Sequence, residues 1–260
     1  MNIRTKIAPG YEILEDWLKK LPEHFQNSGV SIFKDRNEVK VFNEMGFELN
    51  IKSFKVTHLI NRFAYVYIRG SKAARSYLNA LRLLASGAST PEPVAYVECL
   101  SKGILGESYY ISLQYLHDFT LRDVLDYKIS DRHNILIQWV NFTWLHLHKN
   151  GIFHLDYSPG NTLIRKEGEQ YHFAIVDLNR MKFLPIDFEK GIQNFRLLHT
   201  DEETIKLIAT QYAALCDFSA EKAVETLLKL DKDSKKFYGR KNKFHQLIHV
   251  FVFLIHNVEP

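Results

Sequence analysis

The residues best suited to chemistry lie in the stretch His154-Leu-Asp-Tyr-Ser-Pro-Gly-Asn161, with a further carboxylate downstream at Asp177. The stretch has the form H-x-D-x-x-x-x-N. Transfer of a phosphoryl group needs these side-chain types. A carboxylate must accept the proton of the acceptor hydroxyl, and two oxygen-bearing side chains must hold magnesium, whose charge offsets the charge developing on the phosphates. Asp156 suits the role of base, and Asn161 and Asp177 suit the role of metal ligands. His154 is read as a structural anchor for the loop. The competing reading is a polar loop after a helix, with Asp177 a solvated strand end.

Positioning such residues requires particular elements around them, and the flanking sequence supplies the pattern. A long helix is predicted over about Asp131–Asn150, with Gly151 ending it. Two strands follow, Thr162–Arg165 and His172–Val176, joined by the turn KEGEQ, and the second runs directly into Asp177. Helix, loop, strand, turn, strand and Asp is the order of a kinase catalytic loop and its metal-binding Asp. Upstream, the apolar segments Gly29–Phe33, Glu38–Phe42 and Phe47–Phe54 are separated by KDRN and NEMG, which predicts antiparallel hairpins. A helix is expected over Ser71–Ser86 with Gly87 as its stop. TPEP forces an extended entry into a strand at Val94–Glu98, and another strand is expected over Ser108–Leu116. Thr120-Leu-Arg-Asp123 has the spacing of a capping box. Beyond Asp187 the pattern is helical, through Glu202–Cys216, Ala220–Leu230 and Phe244–His256. The predicted class is α+β: a β-rich part over residues 1–117, a mainly helical part over 118–260, and a boundary near His117–Thr120.

Composition narrows the function. The 260 residues are 46% hydrophobic and 25% charged, an ordinary globular balance, and the net charge of +4 is too mild for a nucleic-acid-binding signature. Two distant cysteines, Cys99 and Cys216, argue against a disulfide framework and for a reducing compartment. The apolar run Leu247–Ile255 is about half of what a spanning helix needs, so it is read as a buried C-terminal helix. With no apolar targeting segment near the N-terminus, a cytoplasmic location is expected. Of the twelve histidines, none falls in a zinc spacing, and His146 and His148 are assigned to packing or surface. Trp139, Phe142 and Trp144 are read as core or interface. The basic run Lys235–Lys243 is either a solvated loop between helices or a contact with anionic lipid.

Lys52, in Leu-Asn-Ile-Lys, stands where a kinase has the phosphate-contacting lysine of its third strand. Alternation puts Leu49 and Ile51 on one face and Asn50 and Lys52 on the other, while Lys55 has the opposite parity. Two departures from the kinase pattern stand out. The turn FKDRN replaces a glycine-rich loop, and the helix Ser71–Ser86 has no acidic residue, its equivalent falling near Leu78 or Asn79. Either Lys52 is held by another acceptor, for which Asn79 is the candidate, or the enzyme is weak.

Taken together, RNEVKVF (Arg36–Phe42), NIKSF (Asn50–Phe54), SKAARSYLNALRLL (Ser71–Leu84), TPEPVAYVE (Thr90–Glu98), HLDYSPGN and DLNRM (Asp177–Met181) resemble the lipopolysaccharide kinase family. These are protein-kinase-like enzymes that phosphorylate inner-core sugars such as Kdo or heptose. The resemblance runs from about Gly29 to Leu198. It implies a protein-kinase-like bilobal fold, with an N-terminal antiparallel β lobe, a C-terminal helical lobe and ATP in the cleft between them. It also implies ATP and Mg2+ as cofactors and a lipopolysaccharide precursor or other small sugar as acceptor, met at the inner face of the inner membrane. The absence of an APE element after Asp177 favours such an acceptor over a peptide. Arg180 and Lys182, and farther along Arg196, are the cations expected to orient an anionic acceptor, the alternative being ordinary surface charge. Two other functions stay open: a protein Ser/Thr kinase-like enzyme, and a pseudokinase that only binds nucleotide or a partner.

Overall fold

The computed structural model describes residues 2–35, 37–55, 70–101 and 104–256, with side chains described as far as residue 238. Arg36 of the RNEVKVF motif lies outside them, as do the side chains of Leu247–Ile255. The chain divides into two compact units that do not follow chain order: one holds Met1–Thr120 with Asn161–Phe183, the other Leu121–Gly160 with Leu184–Pro260. The strand pair leading to Asp177 thus belongs with the N-terminal unit.

The first unit is built on an antiparallel sheet of β1 (Asn2–Ile7), β2 (Val30–Lys34), β3 (Glu38–Glu44), β4 (Phe47–Phe54), β5 (Pro93–Ser101) and β6 (Ile104–Leu113), in the order β1-β5-β6-β4-β3-β2. Sequence alternation places β4 as expected: Leu49 and Ile51 are fully buried, whereas Asn50 and Lys52 are half-buried on the other face. The N-terminal thirty residues carry more structure than their sequence reading assigned. β1 pairs along β5, and a 3-10 turn (Glu12–Leu14) with the short helices α1 (Glu15–Lys19) and α2 (Leu21–Asn27) delivers Leu14, Leu18, Leu21 and Phe25 to the same core as Leu49, Ile51 and Val97. Their spacing of three and four residues is the signature of one helical face. Helix α3 (Lys72–Ala85) starts where Ser71 accepts the Ala74 N–H at 2.9 Å and stops at Gly87, whose φ of +76° suits glycine. A second sheet, β10-β9-β7, holds β7 (Phe119–Thr120), β9 (Thr162–Glu167) and β10 (Gln170–Ile175).

The second unit is helical, with α4 (Leu121–Leu125), α5 (Arg132–Phe142), α6 (Phe188–Ile192), α7 (Glu202–Leu215) and α8 (Ala220–His256), and it also holds the short segment β8 (Ile152–His154). Trp139 is fully buried, stacked on Tyr157 with ring centroids 5.5 Å apart and meeting Phe195 edge-on, while Phe142 and Trp144 are half-buried. The expected single helix over Asp131–Asn150 changes pitch twice. After Phe142 the chain makes a π-helical turn (Thr143–Leu147), then a 3-10 turn (His148–Asn150), and stops at left-handed Gly151. Thr143 sits at the change and donates to the Trp139 carbonyl at 2.9 Å. The loop expected over Lys235–Lys243 is instead helical: α8 is one continuous helix. Among the described residues, no helix is long and apolar enough to cross a membrane.

Candidate functional site

The first unit assembles a charged cluster around Asp177. β9 and β10 form a hairpin that turns at Gly168, and β10 is fastened to the end of the α3–β5 connection: the Ile175 N–H donates to the Ser89 carbonyl at 2.9 Å, and Thr90 Oγ1 donates to the Ile175 carbonyl at 2.7 Å. The Val176 N–H donates to the Asn161 carbonyl at 3.0 Å, so the residue before Asp177 is tied to Asn161. Asp177 itself takes a left-handed backbone, φ +59°, an uncommon conformation for a non-glycine residue that turns the chain off the strand end.

Lys52 Nζ lies 2.7 Å from Asp177 Oδ1, and the two side chains are about one-fifth and one-quarter exposed. This ion pair answers the question left by the missing helix acid. Asn79 does not hold the lysine, as the sequence had suggested; its Nδ2 donates to the Leu178 carbonyl at 2.7 Å and so braces the turn after Asp177. A further residue went unassigned in the sequence: Asn179 Nδ2 donates to Asp177 Oδ1 at 2.6 Å. Its available signal was proximity alone, two positions beyond Asp177 with an amide able to donate. Lys55 is exposed.

The donor set fits a hard cation. Asp177 offers a carboxylate and Asn161 an amide oxygen, and magnesium is commonly held by one or two such groups together with substrate phosphates and waters. Among the described residues there is no cluster of three or more His, Cys, Asp or Glu side chains that would make an all-protein metal cage.

The second unit builds the other half of the loop from a buried polar chain. His154 is fully buried, and its Nδ1 accepts the Asp156 N–H at 3.1 Å. Asn194 Nδ2 donates to the His154 carbonyl at 2.7 Å, and its Oδ1 lies 2.9 Å from His148 Nε2. His148 Nδ1 in turn lies 2.8 Å from the Tyr212 hydroxyl. His148 is thus a core residue of this network. Burial lowers its pKa from 6.5 to about 4, only partly offset by the Asn194 contact, so the ring is neutral near pH 7. Arg196 does not stand among the acceptor-facing cations. Its Nη2 donates to the Leu155 carbonyl and its Nη1 to the Gln193 carbonyl, both at 2.8 Å, so it braces the loop that carries Asp156. Arg180 and Lys182 are exposed residues of the first unit, on the turn and short strand after Asp177.

No family model and no curated protein matches the sequence. Among solved structures the chain is similar to WaaP in complex with acyl carrier protein, with a TM-score of 0.60 over 90% of this chain and 99% of that one, at 12% sequence identity. A likeness at that identity carries the fold and leaves the substrate open. With its antiparallel sheet, its helical unit and this neighbour, the chain has an α+β, protein-kinase-like bilobal fold.

Proposed function

We propose that this chain is an ATP- and Mg2+-dependent kinase that phosphorylates a sugar hydroxyl of the lipopolysaccharide inner core, on Kdo or heptose. The observation that carries the phosphotransferase part is the Lys52–Asp177 contact of 2.7 Å, within one compact unit that also holds Asn161. A cation able to meet phosphate oxygens and a carboxylate able to meet a metal are the two charges that a magnesium–nucleotide complex needs opposite it. In its absence they neutralise each other. With nucleotide and magnesium bound, Lys52 would meet phosphate oxygens, and Asp177 and Asn161 would hold the cation, which would supply charge neutralisation at the transferring phosphate. Asn179 braces Asp177, and Asn79 braces the turn that follows it. Asp156 accepts the proton of the acceptor hydroxyl, on a loop fixed by His154, Asn194 and Arg196.

The sequence resemblance to lipopolysaccharide kinases supports the choice of acceptor, and the likeness to WaaP supports the fold on which that resemblance rests. In this reading the chain works at the cytoplasmic face of the inner membrane, as a peripheral protein. The test is mass spectrometry of Kdo-bearing and heptose-bearing lipopolysaccharide precursors after incubation with the chain, ATP and Mg2+. Because the WaaP structure contains acyl carrier protein, the assay is run with and without it. A phosphate gained on the sugar is the expected result. Labelling of protein serine or threonine with no sugar product moves the acceptor to protein. Absence of any magnesium-dependent ATP turnover leaves a binding module.

A further inference from the structure

Beside the catalytic loop, and wholly within the helical unit, lies a pocket of about 290 Å³ lined by Arg122, Tyr127, Pro159, Leu198, His199 and Thr200 among others. Pro159 is three positions beyond Asp156, so one wall of the pocket is the loop that carries the proposed base. We propose that this pocket is the subsite for an anionic group of the acceptor sugar, a carboxylate or a phosphate, with Arg122 as its principal ligand. The inference rests on the kinase reading above, which does not itself assign these residues.

Arg122 is exposed on α4, and among the described residues no carboxylate pairs with it. Its guanidinium turns the Nε–Nη2 edge to the loop: Nε and Nη2 are each 3.7 Å from where a Cβ on Gly160 would stand. That leaves the Nη1–Nη2 edge for a ligand, and paired N–H groups of this kind suit carboxylate and phosphate oxygens. His199, a non-glycine residue held at φ +50° with its Nε2 2.8 Å from Ser234 Oγ, lines the same pocket. Backbone strain of this kind collects at sites that need one fixed side-chain direction. Burial lowers the His199 pKa; Asp231 opposes that shift, and Lys235 and Arg122 reinforce it.

Two carboxylates also line the pocket, and neither cancels Arg122. Asp201 already accepts from Thr204 N–H and Oγ1, Tyr127 Oη, Thr200 Oγ1 and Arg132 Nη2. Although desolvation pushes the other way, these bonds, those of Thr204 foremost, keep its carboxyl well below the usual range. Asp126 faces Lys128 at 3.5 Å and offers an acceptor for sugar hydroxyls. Leu125, Leu198 and Pro159 supply apolar walls for a ring face. The volume is at the small end of ligand sites, which run from about 300 to 1,000 Å³. That is space for a single sugar ring rather than a nucleotide.

Direct titration of the full chain by NMR or calorimetry, without ATP, tests the subsite independently of turnover. The probes are Kdo as a sugar acid, glucosamine 4-phosphate as a sugar phosphate, inorganic phosphate and a neutral hexose. At least one of the two anionic sugars is expected to bind saturably, about tenfold or more tighter than the neutral hexose. Arg122→Gln is expected to remove that advantage, and Arg122→Lys to restore part of it. The tighter of the two sugars identifies carboxylate or phosphate as the group recognised, and inorganic phosphate binding as well as either would show that the ring contributes nothing. In turnover, Arg122→Gln raises the acceptor KM and leaves the ATP KM unchanged. Anion binding that is absent in the wild type, or unchanged in Arg122→Gln, overturns the subsite. Arg122-dependent binding without phosphorylation of any sugar leaves the subsite standing and removes the kinase reading.

Discussion

At the scale of single residues, the proposed chemistry rests on two carboxylates, Asp177 and Asp156. Asp177 is bridged to Lys52 and Asn179, and the Asp156 N–H donates to buried His154. Changing the Asp156 side chain therefore leaves that anchoring bond in place. Asp156→Asn is expected to lower kcat by about 10²- to 10⁴-fold, the usual contribution of a general base, with ATP affinity nearly unchanged. Near-normal turnover by a clean preparation would move the base elsewhere. Lys52 and Lys55 make a paired test of strand register. Lys52 reaches the Asp177 carboxylate and Lys55 is exposed, so Lys52→Ala should weaken ATP turnover substantially and Lys55→Ala only slightly. A larger loss from Lys55→Ala in a side-by-side kcat/KM measurement would contradict the assignment.

At the scale of elements, the loop that carries Asp156 owes its position to a change of helical pitch and a missing side chain. The π-helical turn Thr143–Leu147 shifts the phase of the helix, and His148 emerges buried beside Tyr212 and Asn194. Helix α6 then passes close to this network at Gly191. A Cβ there would collide with the Tyr212 hydroxyl and come within 3.0 Å of His148 Nδ1. Gly191→Ala should displace both rings, and through Asn194 the His154 carbonyl, costing about 1–3 kcal/mol of stability by overpacking. It should also lower turnover, although Gly191 touches no reacting group. A urea midpoint and kcat both equal to wild type would show that α6 moves aside freely.

For the molecule as a whole, the same buried histidine links stability to pH. His148 is neutral in the folded state down to about pH 4, whereas the unfolded chain protonates it near 6.5. Above pH 6.5 the ring is neutral in both states and its contribution is fully present. As pH falls from 6.5 towards 4 the unfolded chain binds a proton that the folded chain refuses, so stability declines by up to about 1.4 kcal/mol per pH unit, levelling near pH 4. Urea unfolding at pH 7 and pH 5 should show this loss, and His148→Gln should show a smaller pH dependence even if it is less stable throughout. Equal pH dependence in the two proteins would place the coupled proton elsewhere.

The sequence by itself determined what depends on short-range pattern. Alternation in Leu49–Lys52 set which side chains of β4 enter the core, because strand side chains alternate regardless of their partners. Ser71 and Gly87 bounded α3, and Gly151 ended the helical run before the catalytic loop, because caps and left-handed stops are local chemistry. The order of motifs around His154–Asn161 and Asp177 pointed to the α+β kinase-like fold for the same reason. Tertiary structure decided which distant residues meet. Lys52 and Asp177 are 125 positions apart, Asn79 and Leu178 are 99 apart, and Arg196 and Leu155 are 41 apart. Hydrogen bonds at such separations leave no periodicity in one sequence. The helix without an acid therefore reads as a deficiency until the fold delivers the Asp177 carboxylate, and Arg196 reads as a cation for an anionic acceptor until it is seen holding two carbonyls. The role of residues 2–27 was decided in the same way. Their apolar spacing was legible, but the core of β3, β4 and β5 that gives it a destination exists only once the sheet has formed.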